Sequence, residues 1–265
     1  MARYKLTLAY DGSNFHGSQR QKGRRTVQGE LEKALTTLGW TGRSILLSGR
    51  TDTGVHAAGQ VASVDLDWSH TDDDLLRALN SLLPPDVAVR AVEAAGAGFH
   101  PRFDAISRTY RYRLFCQPTR DPIRERFAWR IGIPINTLLL EQAAKPFLGR
   151  HDFSAFGSPT TPKGITVRTV TKAAWTQTAA DEWQFEVQAD AFLYRMVRRM
   201  VFVQAAVTQG KFPVEGIAWS LAEQASAGSR SVLPSGLAPA CGLTLVEVGY
   251  PKQESKSNQE IISLA

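Results

Sequence analysis

The chain has 265 residues, 43% of them hydrophobic and 21% charged, and this composition is that of a globular protein. Its length exceeds what one small core can organise, so we expect two domains of about 100 to 150 residues. The formal net charge of +6 favours an anionic partner, either nucleic acid or a phosphorylated ligand.

The cysteines and the apolar runs indicate a reduced compartment without a membrane. Cys116 and Cys241 are the only cysteines, and neither belongs to a C-x-x-C pair. The chain opens directly into a strand pattern rather than a signal peptide. Arg195, Arg198 and Arg199 interrupt the most apolar helix. We therefore expect a soluble, cytoplasmic protein that does not span a membrane.

The spacing of apolar residues divides the first part of the chain into six elements. They are a strand at 4–10, a helix at 26–40, strands at 44–48 and 60–67, a helix at 72–83 and a strand at 87–92. Thr26 and Thr71 are the expected N-caps of the two helices. The order β-α-β-β-α-β is that of the ferredoxin-like fold.

A second half with a similar order follows a glycine- and alanine-rich stretch at 94–98. It contains a strand at 107–117, a helix at 136–148, strands at 165–178 and 183–190, helices at 191–209 and 213–226, and a strand at 243–250. We predict an α+β protein with two similar ferredoxin-like halves, 1–105 and 106–250. Their antiparallel sheets would lie side by side, with an active-site cleft between them. The polar tail 251–265 has no predicted fold.

The loop Gly49-Arg50-Thr51-Asp52-Thr53-Gly54-Val55-His56 joins two predicted strands and has the composition of a reactive site. Its glycines allow a positive φ or a close approach to a ligand, and Arg50 and His56 place donors on either side of Asp52. Donors lower the pKa of a carboxyl group, so Asp52 should be ionised at neutral pH, as a nucleophile requires. Asp beside Gly is also ordinary turn chemistry.

Basic and aromatic residues alternate along the predicted strand that contains Arg108. The alternation places Tyr110 and Tyr112 on one face and Arg111 and Arg113 on the other. Aromatic residues interleaved with basic ones are typical of a base-stacking surface beside a phosphate-binding face. The alternative is a pair of core tyrosines behind a solvated basic face.

The helix around 192–202 carries three arginines, although apolar residues cover most of its circumference. At least one guanidinium should therefore turn inward, which is costly unless a carboxylate pairs with it. We predict that Arg198 pairs with Asp52. The alternative is that all three arginines reach water.

No metal site or nucleotide cofactor is expected. The five histidines lack metal-ligand spacing, and the motifs G-x-x-x-x-G-K-[ST] and G-x-G-x-x-G are absent.

Motifs spread over residues 4–250 resemble the tRNA pseudouridine synthase A family, in the order that the family shows. They are Tyr10-Asp11-Gly12-Ser13, Gly49-Arg50-Thr51-Asp52 with Gly54-Val55-His56, Phe99-His100 with Arg102-Phe103, Arg108 with Tyr110-Arg111-Tyr112, His151-Asp152-Phe153 and Met196-Val197-Arg198. The resemblance implies a cofactor-free isomerase that breaks the glycosidic bond of a uridine in RNA, turns the uracil and rejoins it through C5. The implied substrate is tRNA at positions 38, 39 and 40 of the anticodon stem-loop, bound by a homodimer.

The same resemblance implies roles for individual residues. Asp52 would be the nucleophile, and Tyr110 would stack on the flipped uracil and could act as the base near C5. Arg198 would keep Asp52 ionised and help hold the nucleotide out of its stack, because a stacked uridine is beyond a carboxylate's reach. Further substrate contacts are expected from Arg50, Gly54, His56, Tyr112, Gln19, Arg20, Arg24, Arg25 and Arg108.

The chain departs from the family pattern at three positions. Ser18 stands where the family usually has Trp, Thr53 where Ala is commoner, and Phe202 where Gly is frequent. None of them removes a catalytic group, but Ser18 affects the packing of residues 15–25, and Phe202 affects a helix contact or the dimer.

Two other functions are weighed from the residues. A non-catalytic RNA-binding protein would explain the charge and Tyr110, but it leaves Asp52 without a task because a carboxylate repels phosphate. A phosphate-ester hydrolase using Asp52 and His56 would need a metal or a second carboxylate, which the spacing does not provide.

Overall fold

The structure is a computed structural model that describes residues 1–161, 163–222 and 233–251. Ten strands and five α-helices form in these ranges. The strands are β1 (Ala2–Tyr10), β2 (Leu46–Leu47), β3 (His56–Leu66), β4 (Val87–Ala95), β5 (Ser107–Cys116), β6 (Trp129–Ile131), β7 (Gly149–Asp152), β8 (Val167–Ala179), β9 (Glu182–Ala189) and β10 (Leu243–Gly249). The helices are α1 (Val27–Thr37), α2 (Asp72–Leu82), α3 (Thr137–Ala144), α4 (Met196–Thr208) and α5 (Glu215–Ala222).

All ten strands belong to one sheet in the order β4-β1-β3-β10-β5-β9-β8-β7, with β2 on β3 and β6 on β5. The pairs are antiparallel except for β3 with β10 and β5 with β6. The strands of the two halves meet where His56 and Ala57 of β3 pair with Thr244 and Leu245 of β10. The α+β class is confirmed, and the two sets of strands form one continuous sheet.

The helices cover the sheet because their apolar residues recur at helical spacing. Leu31 and Leu35 of α1 and Leu75 and Leu79 of α2 are fully buried, in one cluster with residues of β1 and β3. A larger cluster joins α3, α4 and α5 to β5, β8 and β9. None of the helices in the described part of the chain is both long and apolar enough to cross a membrane.

The helix caps follow the prediction, whereas several element ends differ. Thr26 caps α1 and Thr71 caps α2, each accepting a backbone N–H three residues further on. The short strands β6 and β7 were not predicted, because three or four residues carry too little periodicity. The predicted helix at 191–209 begins only at Met196, because Arg195 has a left-handed φ of 63°. Residues 223–226 of the last predicted helix and 252–265 of the tail lie outside the described residues.

His56 links the two halves of the sheet at the start of β3. It is 4% exposed, its Nδ1 accepts a hydrogen bond from the Gly12 N–H at 3.0 Å, and its Nε2 donates to the carbonyl of Cys241 at 3.1 Å. The ring of Phe127 lies 5.0 Å away. These two hydrogen bonds require a neutral imidazole. Burial lowers the pKa of His56, outweighing the nearby Asp11 carboxylate, which acts in the opposite direction.

A chain of buried hydrogen bonds supports the loop between β2 and β3 from behind. Ser18 is fully buried, and its Oγ accepts the backbone N–H of Thr51 at 2.9 Å. The Thr51 hydroxyl lies 2.9 Å from the Tyr10 hydroxyl. At the other end, the Gln60 amide donates to the carbonyl of Gly49 at 3.1 Å. The loop is therefore tied to β1 and β3, and its position does not depend on a ligand.

Two glycines let the segment before α1 approach this loop backbone to backbone. A Cβ on Gly12 would lie 2.0 Å from the carbonyl oxygen of Val55. Gly17 has a φ of +86°, and a Cβ there would lie 2.8 Å from the carbonyl oxygen of Thr51. Any larger residue at either position would displace the loop.

The neutral state of His56 predicts a pH-dependent stability. Because the unfolded chain protonates His56 near pH 6.5 and the folded chain does so only at lower pH, the free energy of unfolding falls as the pH drops below about 6.5. We expect the stability advantage of wild type over His56→Gln to shrink between about pH 7.5 and about pH 5.5 in urea unfolding. The other four histidines are present in both proteins, so their contributions cancel in the difference between the two free energies of unfolding. A constant advantage would contradict the neutral, buried role.

Ser18→Ala should destabilise the fold, because it leaves the Thr51 N–H buried without its acceptor. We expect a loss of about 1–3 kcal/mol in the free energy of unfolding, measured by urea denaturation at neutral pH. Ser81→Ala removes an exposed hydroxyl on α2 and serves as the control, with an expected change within about 0.5 kcal/mol. Equal small changes in the two variants would show that the Ser18 contact contributes no stability.

Candidate active site

Asp52 lies in the loop between β2 and β3 with a carboxylate that solvent can reach, since its side chain is 22% exposed. Arg198 of α4 donates from Nη1 to Oδ2 of Asp52 at 2.9 Å, and from Nε to the carbonyl of Ala238 at 2.8 Å. The predicted contact is therefore present. It joins the loop of the first half to a helix of the second, and the Arg198 side chain is itself only 14% exposed.

A second arginine lies near the same carboxylate. Nε of Arg195 is 4.0 Å from Oδ2 of Asp52, and the Arg195 side chain is 52% exposed. The sequence placed Arg195 inside a helix and gave it no role. Periodicity could not reveal that Arg195, a non-glycine residue, adopts a left-handed conformation beside the Asp52 carboxylate.

Tyr110 lies on β5 and is partly buried, with its ring edge-on to Phe192 at 5.1 Å. Burial raises the pKa of the phenol, and Tyr10 and Asp52 act in the same direction. Tyr110 is therefore protonated at neutral pH. Its hydroxyl makes no hydrogen bond to any residue within the three described ranges, so it can donate to a ligand.

The alternation along β5 is present, but two of its expected consequences are not. Tyr112 is fully buried, and its hydroxyl donates to a backbone carbonyl at 2.9 Å. It is a core residue, and the substrate contact predicted for it is wrong. Arg111 and Arg113 form ion pairs across to Glu186 and Glu182 of β9, at 3.2 and 2.7 Å, so the basic face of β5 is neutralised.

The flanks of Asp52 also differ from expectation. His56 was predicted to donate beside Asp52, but both of its ring nitrogens are engaged at the junction of the halves. Arg50 is exposed and has no hydrogen bond or ion pair to the described residues. Gly54 forms the turn with a φ of +79°, and a Cβ there would lie 3.3 Å from the Cβ of Ala240.

The four residues of the segment 19–25 that are predicted to contact substrate fall into two groups. Gln19 and Arg24 are exposed. Arg20 and Arg25 are each held by a carboxylate at 2.7 Å. The partners are Glu32 for Arg20 and Asp86 for Arg25. The ion pairs of Arg20 and Arg25 fix the segment before α1 to the rest of the chain.

Arg108 is held by the protein rather than presented to solvent. Its guanidinium donates to four backbone carbonyls, of Ser48, Arg102, Ala105 and Asp190, at distances from 2.7 to 3.4 Å. Burial lowers the pKa of Arg108. It ties β5 to the segment before the Asp52 loop and to the end of β9.

The three departures from the family pattern have clear locations. Ser18 supports the Asp52 loop, a role that a serine in a basic segment does not signal in sequence. Thr53 is exposed. Phe202 stacks on Trp129 with the ring centroids 6.4 Å apart and covers Gly236, so its contacts lie within the chain.

Comparison with known proteins agrees with this geometry. The family model described as "tRNA pseudouridine synthase" matches residues 7–104 and 143–251, which include Asp52 and Arg198. The tRNA pseudouridine synthase A of Limosilactobacillus fermentum is 38% identical over 262 residues, 97% of this chain and 100% of the relative. That of Bacillus subtilis is 39% identical over 251 residues, 94% of this chain and 99% of the relative. The chain therefore belongs to the tRNA pseudouridine synthase family, whose members are isomerases.

Proposed function

We propose that the chain isomerises uridine to pseudouridine at positions 38, 39 and 40 of the anticodon stem-loop of tRNA, with Asp52 as the nucleophile and without a cofactor. One observation carries the proposal: a solvent-accessible carboxylate is held at 2.9 Å by the largely buried guanidinium of Arg198. The target nucleotide must leave its stack to reach this group, at a cost of a few kcal/mol that contacts in the site offset.

In the proposed reaction, Asp52 attacks the uridine and the bond from C1′ to N1 breaks. The uracil turns, a bond forms from C1′ to C5, and the bond to Asp52 breaks, which restores the carboxylate. The hydrogen on C5 leaves as a proton, and N1 takes up a proton, so the product is an isomer of the substrate. Arg198 stabilises the negative charge that Asp52 needs for attack. Arg198 already donates to Asp52 and to the carbonyl of Ala238, so we propose that it acts on the carboxylate alone. We propose that the exposed Arg50 instead fills the space that the flipped nucleotide leaves in the stack.

Tyr110 is proposed to contact the flipped base. Its ring supplies a stacking surface, and its free hydroxyl can donate to a uracil oxygen. The raised pKa argues against a role as the resting base near C5, because a base must first be deprotonated. The exposed Gln19, Arg24 and Arg50 are the proposed contacts to the RNA backbone.

We also infer that the halves 1–105 and 106–250 are both ferredoxin-like. The strand orders β4-β1-β3-β2 and β10-β5-β9-β8 support this, since each reads fourth, first, third, second along its half when β6 and β7 are set aside. A homodimer that binds tRNA across both subunits and a cytoplasmic location are expected from the substrate and the family. Sedimentation at micromolar concentration tests the dimer.

Asp52→Asn should abolish catalysis and leave tRNA affinity within about tenfold of wild type, because the charge is needed for attack rather than for docking. Tritium release from tRNA labelled at C5 of uridine measures catalysis, and filter binding measures tRNA affinity. Asp73→Asn on the exposed side of α2 is the control and should retain full release. Release by Asp52→Asn would remove the nucleophile role. Tight binding without any release by wild type would favour a non-catalytic RNA-binding protein.

Arg198→Lys should lower the rate of tritium release by about tenfold or more, because an ammonium cannot contact Asp52 and the Ala238 carbonyl in one planar fork. The comparison uses single-turnover rates at saturating enzyme, so that weaker binding does not contribute. Arg77→Lys, an exposed arginine of α2, controls for the exchange itself. A wild-type rate for Arg198→Lys would contradict the geometric role.

A further inference from the structure

The three arginines at the start of α4 differ in how their donors are used. Arg198 donates to Asp52 and to the carbonyl of Ala238. Arg199 donates to the carbonyls of Pro234 and Gly236. The guanidinium of Arg195 makes no hydrogen bond to any residue in 1–161, 163–222 or 233–251. Its five N–H donors are therefore available, although its Nε lies only 4.0 Å from the Asp52 carboxylate.

The backbone conformation at Arg195 places its guanidinium near the Asp52 carboxylate. Arg195 has φ 63° and ψ 8°, a conformation that costs on the order of 1–2 kcal/mol in a residue other than glycine. It lies where an extended segment turns into α4, and the N–H of Tyr194 is fixed to the carbonyl of Ser158 at 2.9 Å. The guanidinium lies over the Tyr194 ring, 4.7 Å from its centroid, which restricts its motion.

Two arginines, Arg195 and Arg198, face the single carboxylate of Asp52. Arg198 at 2.9 Å matches the single charge of Asp52, so Arg195 adds a surplus positive charge at the carboxylate. A uridine within RNA brings one phosphate on each side. A planar guanidinium that is half exposed and stacked on an aromatic ring can bind phosphate through two donors.

We infer that Arg195 binds a phosphate that flanks the target nucleotide and thereby fixes the sugar against Asp52. The inference rests on the proposed function, since it assumes that Asp52 is the reacting group. It adds a second guanidinium with a task different from that of Arg198: one holds the carboxylate, and the other holds the substrate backbone.

A double-mutant cycle between protein and RNA tests the assignment. The substrates are tRNAs labelled at C5 of the target uridine, with a neutral methylphosphonate linkage on its 5′ side, on its 3′ side, or on neither. The enzymes are wild type, Arg195→Gln, Arg195→Gly and, as the control for loss of an exposed arginine, Arg77→Gln of α2. The readout is kcat/KM for tritium release at several salt concentrations.

With the natural linkage, Arg195→Gln should lower kcat/KM by about tenfold to hundredfold, as expected for a lost charge-assisted contact, and should reduce the salt slope by about one. One methylphosphonate should lower wild-type kcat/KM by a similar factor and leave Arg195→Gln unchanged, because both changes remove the same contact. Arg77→Gln should follow wild type on every substrate.

The Arg195→Gly variant separates the effect of losing the guanidinium from any effect on the left-handed backbone turn. Glycine adopts positive φ readily, so this variant should unfold no earlier than wild type and still lose the coupling to the phosphate. Losses that multiply at both linkages, or wild-type kcat/KM in Arg195→Gln, would overturn the inference. Multiplying losses would leave Arg195 as a partner of Asp52 or of the uracil. If wild type released no tritium from tRNA with the natural linkage, the proposed function itself would be refuted. This result differs from those that overturn only the role of Arg195.

Discussion

The ion pair between Asp52 and Arg198 is the contact on which the site depends. Its members lie 146 residues apart in sequence and on different halves of the molecule. An arginine side chain that is only 14% exposed is stable there because a carboxylate and a carbonyl oxygen accept the hydrogen bonds of its guanidinium. The guanidinium in turn places an opposite charge 2.9 Å from the partly buried carboxylate. The proposed nucleophile and the joining of the halves therefore depend on one interaction.

An ion pair alone would leave the loop free to move, and the surroundings prevent this. Ser18 and Gln60 hold the loop backbone from behind, and Gly12 and Gly17 bring a second backbone into contact with it. These contacts are formed in the chain without RNA, so in the proposed reaction tRNA would meet a carboxylate that is already oriented. Such preorganisation is the part of catalysis that a fold can supply before the substrate arrives.

The sequence predicts local features well and long-range pairings unevenly. Thr26 and Thr71 were identified as caps because a cap depends on neighbours three residues away. The contact of Arg198 with Asp52 followed from the cost of burying an unpaired charge. The positions of Tyr112 and His56 did not follow, since strand alternation gives a face and not the depth of the core behind it. Arg195 was missed because a left-handed turn at a non-glycine residue depends on the bridge between Tyr194 and Ser158.

The place of β10 in the sheet has a consequence for synthesis on the ribosome. The last strand within the described residues lies near the middle of the sheet, between β3 and β5. Until it emerges, one edge of β5 is unpaired from Ser107 to Tyr112, and His56 and Ala57 of β3 lack their partners, which leaves a surface open to mispairing. The carbonyl of Cys241 that holds His56 arrives with the same segment. A chain cut short before residue 243 would carry both Asp52 and Arg198 and still lack the strand that brings the halves into register.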